Sequence, residues 1–200
     1  MQLYKEHRHV EKFIQSIHNI HPLSQLDLET LLKEGEEIHV SKGMCIVNEG
    51  EIDSSVYLLK KGVWRGFHSY EEREATFWFV IPGEAAFSSW GYVDGKPSQL
   101  TIEASSDSVA LKFSKESIEH LFMKSESLAI WIRKMLEKLL LSIDQWMVDF
   151  SKPTATERYS SFADKMPEIL QNVPLKDIAG FLNMTPQSLS RIRAQLVKKN

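Results

Sequence analysis

The stretch from Val173 to Val197 constrains this chain more than any other, because its apolar residues fall on two short helical faces separated by a two-residue turn. Leu175, Ile178, Ala179 and Leu182 share one face of a first helix. Pro174 suits the first turn of that helix, where a missing N–H costs nothing. Ala179 is small at the point where two helices must approach closely. Asn183-Met184 makes the turn, asparagine tolerating the left-handed backbone better than most residues that carry a side chain. Thr185 is a good N-cap and Pro186 a good first residue for the second helix, whose buried stripe is Leu189, Ile192 and Leu196.

That stripe leaves Gln187, Ser188, Arg191 and Gln195 pointing outward. These are base-reading side chains: arginine bonds guanine bidentately, glutamine bonds adenine, and serine bonds a base or a phosphate. The helix N-terminus at Thr185 attracts phosphate, and Arg193, Lys198 and Lys199 flank the same region and suit backbone contacts. The pattern reads as a helix-turn-helix aimed at double-stranded DNA. A helical hairpin that docks another protein is the alternative use of the same spacing.

Charge supports the first use. Residues 151–200 hold eight Lys/Arg against four Asp/Glu, a net +4, and leave −7 on residues 1–150. A basic end on an acidic body is what a small nucleic-acid contact needs. The formal total of −3 excludes a chain that is basic throughout. No apolar run approaches the ~18 residues of a membrane span, and Met1–Arg8 is charged rather than signal-like, so no membrane partner and a bacterial cytoplasmic location are expected. Cys45 is the only cysteine, which rules out an internal disulfide and a cysteine-ligated cluster. Its apolar setting, Met44-Cys45-Ile46-Val47, reads as an inert core thiol.

Upstream, the spacing predicts two helices over Val10–Leu32, the second capped by Ser24. From Glu36 to Leu121 short apolar runs alternate with glycine turns, which predicts a roll or barrel of strands. Ser114 reads as the cap of a further helix, and Glu71-Glu72-Arg73-Glu74 as a solvated turn. A long helix follows over Leu128–Phe150, free of Gly and Pro and roughly 34 Å long at 1.5 Å per residue. Its stripe, Ile132, Met135, Leu139, Ile143 and Trp146, is widened by Leu136, Leu140 and Met147 and is expected to form a homodimer seam. Ser151-Lys152-Pro153-Thr154 ends it as a hinge.

With these passages in hand, the chain resembles the Crp/Fnr family of transcription regulators. Lys42-Gly43 through Gly50 and Val56 to Gly62 resemble the glycine framework of the cyclic-nucleotide-binding roll. Ile81-Pro82-Gly83-Glu84 resembles the start of its phosphate-binding cassette, and Leu182 to Arg191 its recognition helix. The resemblance implies an α+β chain: a sensor domain over 1–126, a dimerisation helix over 127–150 and a DNA-binding domain over 151–200. It also implies base contacts by Gln187, Ser188 and Arg191, an effector pocket near Gly83, Glu84, Ser98 and Gln99, and RNA polymerase as a further partner.

The sequence departs from the family in one informative place. Cyclic-AMP binders carry an arginine followed by Ser or Thr late in the cassette, and here Ser98-Gln99 stands instead. A charge-assisted hydrogen bond contributes ~1.5–3 kcal/mol, so its loss costs roughly 10- to 150-fold in affinity. No cofactor is therefore expected, cyclic nucleotide included, and any effector is of unknown chemistry. The aromatic residues Phe77, Trp78, Phe79, Phe87, Trp90 and Tyr92 around the cassette fit either a filled core or a pocket for something else. With the sequence ending at Asn200, no β-hairpin wing is expected after the recognition helix. His7, His9, His18 and His21 lack ligand spacing, so no metal site is expected, and no catalytic motif appears, so an enzyme is not expected.

Overall fold

The computed structural model describes the backbone of residues 2–71 and 73–197, and the side chains of 10–71 and 73–196. Two helices, α1 (Gln2–Ile20) and α2 (Gln25–Glu34), precede eight strands: β1 (Glu36–Val40), β2 (Cys45–Val47), β3 (Val56–Lys61), β4 (Trp64–Tyr70), β5 (Arg73–Val80), β6 (Ala85–Ala86), β7 (Thr101–Ala104) and β8 (Ser108–Phe113). A short helix, α3 (Ser89–Asp94), sits between β6 and β7. Then come α4 (Lys115–Lys124), the long α5 (Glu126–Phe150), and α6 (Ala155–Lys165), α7 (Pro167–Asn172), α8 (Leu175–Phe181) and α9 (Pro186–Val197). The α+β class, the roll and the long helix stand where the spacing placed them, while α3 was not anticipated.

The strands form two antiparallel four-stranded sheets, in the orders β1-β8-β3-β6 and β2-β7-β4-β5. Between them pack Val47, Tyr57, Leu59, Trp64, Val80, Ala86, Ile102, Ala104 and Ala110, so the interior of the roll is filled by side chains. Tyr57 and Trp64 meet edge-to-face at 5.6 Å. Outside the roll, α1, α2, α4 and the start of α5 cover the first sheet through Phe13, Ile17, Leu28, Leu31, Ile118 and Leu121.

Local chemistry sets the helix starts. Ser24, Ser114, Ser125 and Thr154 each accept a backbone N–H three residues on, and Thr154 with Glu157 completes a reciprocal capping box. Pro174 proves to be the N-cap of α8 rather than its first helical residue, with ψ at 142°. That extended ψ leaves its carbonyl free to accept from Ile178.

Two expectations are corrected. Cys45 is exposed, because β2 is an edge strand whose ladder with β7 is interrupted by a bulge between Cys45 and Val47. Partial burial and the Glu103 carboxylate still push its thiol pKa up, which keeps it a poor nucleophile. Glu74 is not a solvated turn residue: it lies in β5 and pairs with Arg65. The turn itself is made at Glu71, with φ at 54°.

The long helix is divided along its length. Leu128, Trp131, Ile132 and Met135 are buried in the chain's own core, and the Trp131 indole N–H donates to the Ile17 carbonyl at 2.9 Å. Beyond Met135 the apolar face turns outward: Leu136, Leu140, Leu141, Ile143, Met147 and Val148 are exposed. Trp146 leans back on Phe77 and Phe150, with ring centroids 6.1 and 5.3 Å away. Of the predicted seam, Ile132 and Met135 are thus consumed within the chain, Leu139 and Trp146 are half-buried, and Ile143 is open. The open stripe is Leu136, Leu140, Ile143 and Met147, at helical spacings of four, three and four. The broad face seen in the sequence conflates two faces, and only contacts tell them apart.

Candidate nucleic-acid interface

The terminal helices are built around a small core of their own. Ile178, Ala179 and Leu182 of the first motif helix meet Leu189 and Ile192 of α9, with Tyr159, Phe162, Ile169 and Val173 beneath them. Ala179 and Leu189 are wholly buried at the crossing. Asn183 takes the left-handed backbone, φ 50°, and Met184 N–H donates to the Ala179 carbonyl at 3.0 Å. Thr185 caps α9 by accepting the Ser188 N–H at 3.2 Å, and its hydroxyl donates to the Ser188 hydroxyl at 2.9 Å. Every geometric feature inferred for the turn is present.

The outer face of α9 carries Gln187, Arg191 and Gln195 exposed and Ser188 half-buried. At 3.6 residues per turn these four lie on one side of the helix. Arg193 is also exposed, but it lies on the other side of the buried stripe, past Leu189. Arg191 and Arg193 form no ion pair among the described residues, so both charges are directed to solvent. Lys198 and Lys199 lie outside the described residues.

Sequence reasoning missed the interaction that fixes this face to the roll. Arg65, 2% exposed, stands in β4 with its guanidinium spread over three carboxylates: Glu74 at 2.8 Å, Glu103 at 3.2 Å and Asp177 at 3.0 Å. Asp177 belongs to α8, so this cation ties the motif to the roll across 112 residues of chain. The guanidinium also lies over the Phe67 ring, 4.1 Å from its centroid. Beside it, Gly180 lets α8 approach β5 closely; an added Cβ would meet the Glu74 carbonyl oxygen at 2.8 Å. Val63 and Phe79 of the roll complete the joint by packing into the core of the terminal helices. A signal was available, since strand alternation puts Arg65 on the same face as Val63 and Phe67, where a charge needs a partner.

Burial pushes the Asp177 carboxyl pKa up, against the attraction of Arg65 and Lys176. Burial works against the Arg65 charge as well, but Asp177, Glu74 and Glu103 together hold it above the usual arginine value. One cation shared by three carboxylates leaves the deepest carboxylate as the least compensated charge.

The cassette residues are engaged elsewhere. Gly83 is buried against α1, where a Cβ would strike the Ser16 hydroxyl at 2.1 Å. Glu84 accepts the Ile81 N–H at 3.3 Å and faces Lys138 of α5 at 3.5 Å. Ser98 is buried and donates to the Leu100 carbonyl at 2.7 Å, while Gln99 points to solvent. Trp64 fills the roll, and its indole N–H has no partner among the described residues. None of the cassette residues Gly83, Glu84, Ser98 and Gln99 is a cation that could compensate a phosphate.

Residues 37–125 match the sequence family described as Cyclic nucleotide-binding domain. No curated protein sequence matches the chain. Among solved structures, FixK2 from Bradyrhizobium japonicum superposes with a TM-score of 0.70 at 22% identity, covering 82% of this chain and 85% of that one. CLP from Xanthomonas campestris, described as a c-di-GMP responsive global regulator, gives 0.68 at 15% identity over 88% of this chain and 93% of its own. A putative transcriptional regulator of the Crp/Fnr family from Eubacterium rectale gives 0.66 at 20% identity over 90% and 88%. The chain has the fold of these regulators from its roll through its terminal helices. Among the described residues, no helix is long and apolar enough to cross a membrane.

The Arg65 cluster makes docking of the terminal helices sensitive to pH. Asp177 binds its proton more tightly when folded than when unfolded, so its contribution is fully present at acid pH and is lost as pH rises through the raised value. The carboxylates whose pKa values are lowered, Glu37, Asp53 and Asp149 among them, act below the ordinary carboxylate range and do not mask this. Urea unfolding is expected to show stability falling as pH rises above the ordinary aspartate range, and Asp177→Asn to flatten that slope. Arg65→Met strands three carboxylates and is expected to cost about 3 kcal/mol or more. An unchanged slope in Asp177→Asn overturns the assignment.

Proposed function

We propose that this chain is a homodimeric, sequence-specific DNA-binding transcription regulator of the Crp/Fnr type that does not respond to cyclic AMP. The observation that carries the reading is the outer face of α9. A capped helix, locked by its buried stripe, holds Gln187, Ser188, Arg191 and Gln195 outward, with an arginine that forms no ion pair among the described residues. Those side chains match the edge chemistry of the major groove. The cap leaves the N-terminal N–H groups of α9 positioned for a backbone phosphate. Arg193, on the far side of the buried stripe, suits a phosphate contact, as Lys198 and Lys199 do by sequence.

The dimer part of the reading rests on the exposed stripe Leu136, Leu140, Ile143 and Met147, an apolar seam on a long helix. Two such helices side by side would carry the recognition helices to successive major grooves, about 34 Å apart. The cyclic-AMP part rests on Ser98, which bonds its own neighbour where a phosphate-binding arginine would be needed, and on a roll already filled by Tyr57 and Trp64.

Three measurements test these parts separately. Arg191→Ala is expected to weaken binding to a selected operator about 5- to 150-fold in a gel shift, the value of one bidentate base contact, with dimer mass unchanged; equal affinity for operator and unrelated DNA in the unmodified protein would sink the DNA reading. In sedimentation, Leu140→Glu/Ile143→Glu is expected to halve the mass while the circular-dichroism signal of the fold persists. Calorimetry with cyclic AMP is expected to show no binding at micromolar concentrations, and a micromolar isotherm reverses the cassette argument.

A further inference from the structure

A cavity of about 110 Å³ opens between the second half of α5, α6 and the end of α8. Its wall is almost wholly apolar, built by Trp146, Phe150, Phe162, Met166, Phe181 and Leu182. Phe162 and Phe181 lie 5.4 Å apart between ring centroids, and Trp146 and Phe150 lie 5.3 Å apart. The volume approaches the ~150 Å³ of an engineered cavity that takes benzene. A single aromatic ring is therefore the natural size of occupant, and because the cavity is open on one side, a substituent on that ring has room to extend outward.

The rim has an excess of positive charge. Asp149 is the one carboxylate in the lining, and it is already shared by Lys152 at 2.7 Å, Lys165 at 2.7 Å and the Ser161 hydroxyl at 3.0 Å. Arg158 also lines the cavity. It is half-buried, and its guanidinium bonds two main-chain carbonyls, Leu182 and Lys152, each at 3.1 Å. It forms no ion pair with a carboxylate among the described residues. Two cations of the lining, Arg158 and Lys165, thus stand against one carboxylate, Asp149, whose charge Lys152 also offsets from outside the lining. Complementarity asks for the opposite pattern: a flat apolar ring carrying one anionic group.

We propose that this cavity binds a small aromatic carboxylate, its ring between Trp146, Phe162 and Phe181 and its carboxylate at Arg158 and Lys165. The site is separate from the cassette and from the open seam of α5, because Ser142, Gln145, Trp146 and Asp149 lie on the side of α5 that faces the chain's own terminal helices. It also touches both sides of the Ser151–Thr154 connection. Occupation braces α5 against α6 and α8, and so sets the angle at which α9 is carried. That consequence rests on the DNA-binding reading, whereas the binding step does not.

The test uses the full chain with 3-phenylpropionate as the probe and 3-phenylpropan-1-ol as its uncharged counterpart. Calorimetry is expected to give saturable one-site binding of the acid, at least tenfold tighter than the alcohol. Ser142→Phe, an exposed position at the cavity lip, is expected to abolish it with the fold intact by circular dichroism. Arg158→Lys, which keeps the charge and shortens the reach to the two carbonyls, is expected to weaken it severalfold. No saturable binding, or binding that survives Ser142→Phe unchanged, overturns the site. With binding established, the probe is expected to change operator affinity at least threefold in the unmodified protein and not in Ser142→Phe. An operator affinity that does not move overturns the coupling. A chain that binds the probe but no DNA overturns the functional reading and leaves the site in place.

Discussion

A single buried cation decides how the two ends of this molecule are arranged. Arg65 has lost nearly all contact with water, a loss that costs several kcal/mol for an ion and is offset only where the remaining geometry is good. The offset comes from three carboxylates on three different segments, and one of them arrives from the terminal helices. Apolar contact alone, through Val63 and Phe79, is non-directional and would tolerate a slide of α8 over β5. A guanidinium with fixed donor directions does not. The pair Arg65–Asp177 therefore acts as the register mark of the joint, and Gly180 supplies the clearance that lets the mark be reached.

Much of this molecule is written locally, and local writing is legible. Ser24, Ser114 and Thr185 cap the helices they were expected to cap, and Asn183 adopts the backbone its side chain allows. The stripe Leu189–Ile192–Leu196 needed only helical spacing to be found. What escaped is long-range or two-faced. Asp177 looks like an ordinary first-turn acid until β4 is brought beside it. The apolar face of α5 is continuous in sequence, but Ile132 and Met135 serve one surface and Leu140 and Ile143 another. Cys45 sits in an apolar run, and its exposure follows from strand order, which spacing does not encode. At the candidate interface, the helix and its outward residues were readable, and the anchoring that orients them was not.

The roll keeps its fold while the residues of its cassette are engaged within the chain. Its glycine framework and its sheets are intact, yet Glu84 faces a lysine of α5, Ser98 bonds its own segment and Trp64 occupies the middle. A packed interior of this kind transmits displacement stiffly, since close-packed side chains have little room to yield. The open space is elsewhere, at the connection after α5, where an aromatic cavity meets a cluster of charges.

In the proposed homodimer, the division of α5 into an inward half and an outward half makes protein concentration a variable of the structure. Leu136, Leu140, Ile143 and Met147 face water in a lone chain, and water is a poor solvent for them. Mass action then governs how often that surface is covered: dilution uncovers it and accumulation hides it, with apparent melting temperature moving in step. A newly made chain passes through the uncovered condition before it meets a second copy. On that reading the abundance of the chain becomes an input to its own state.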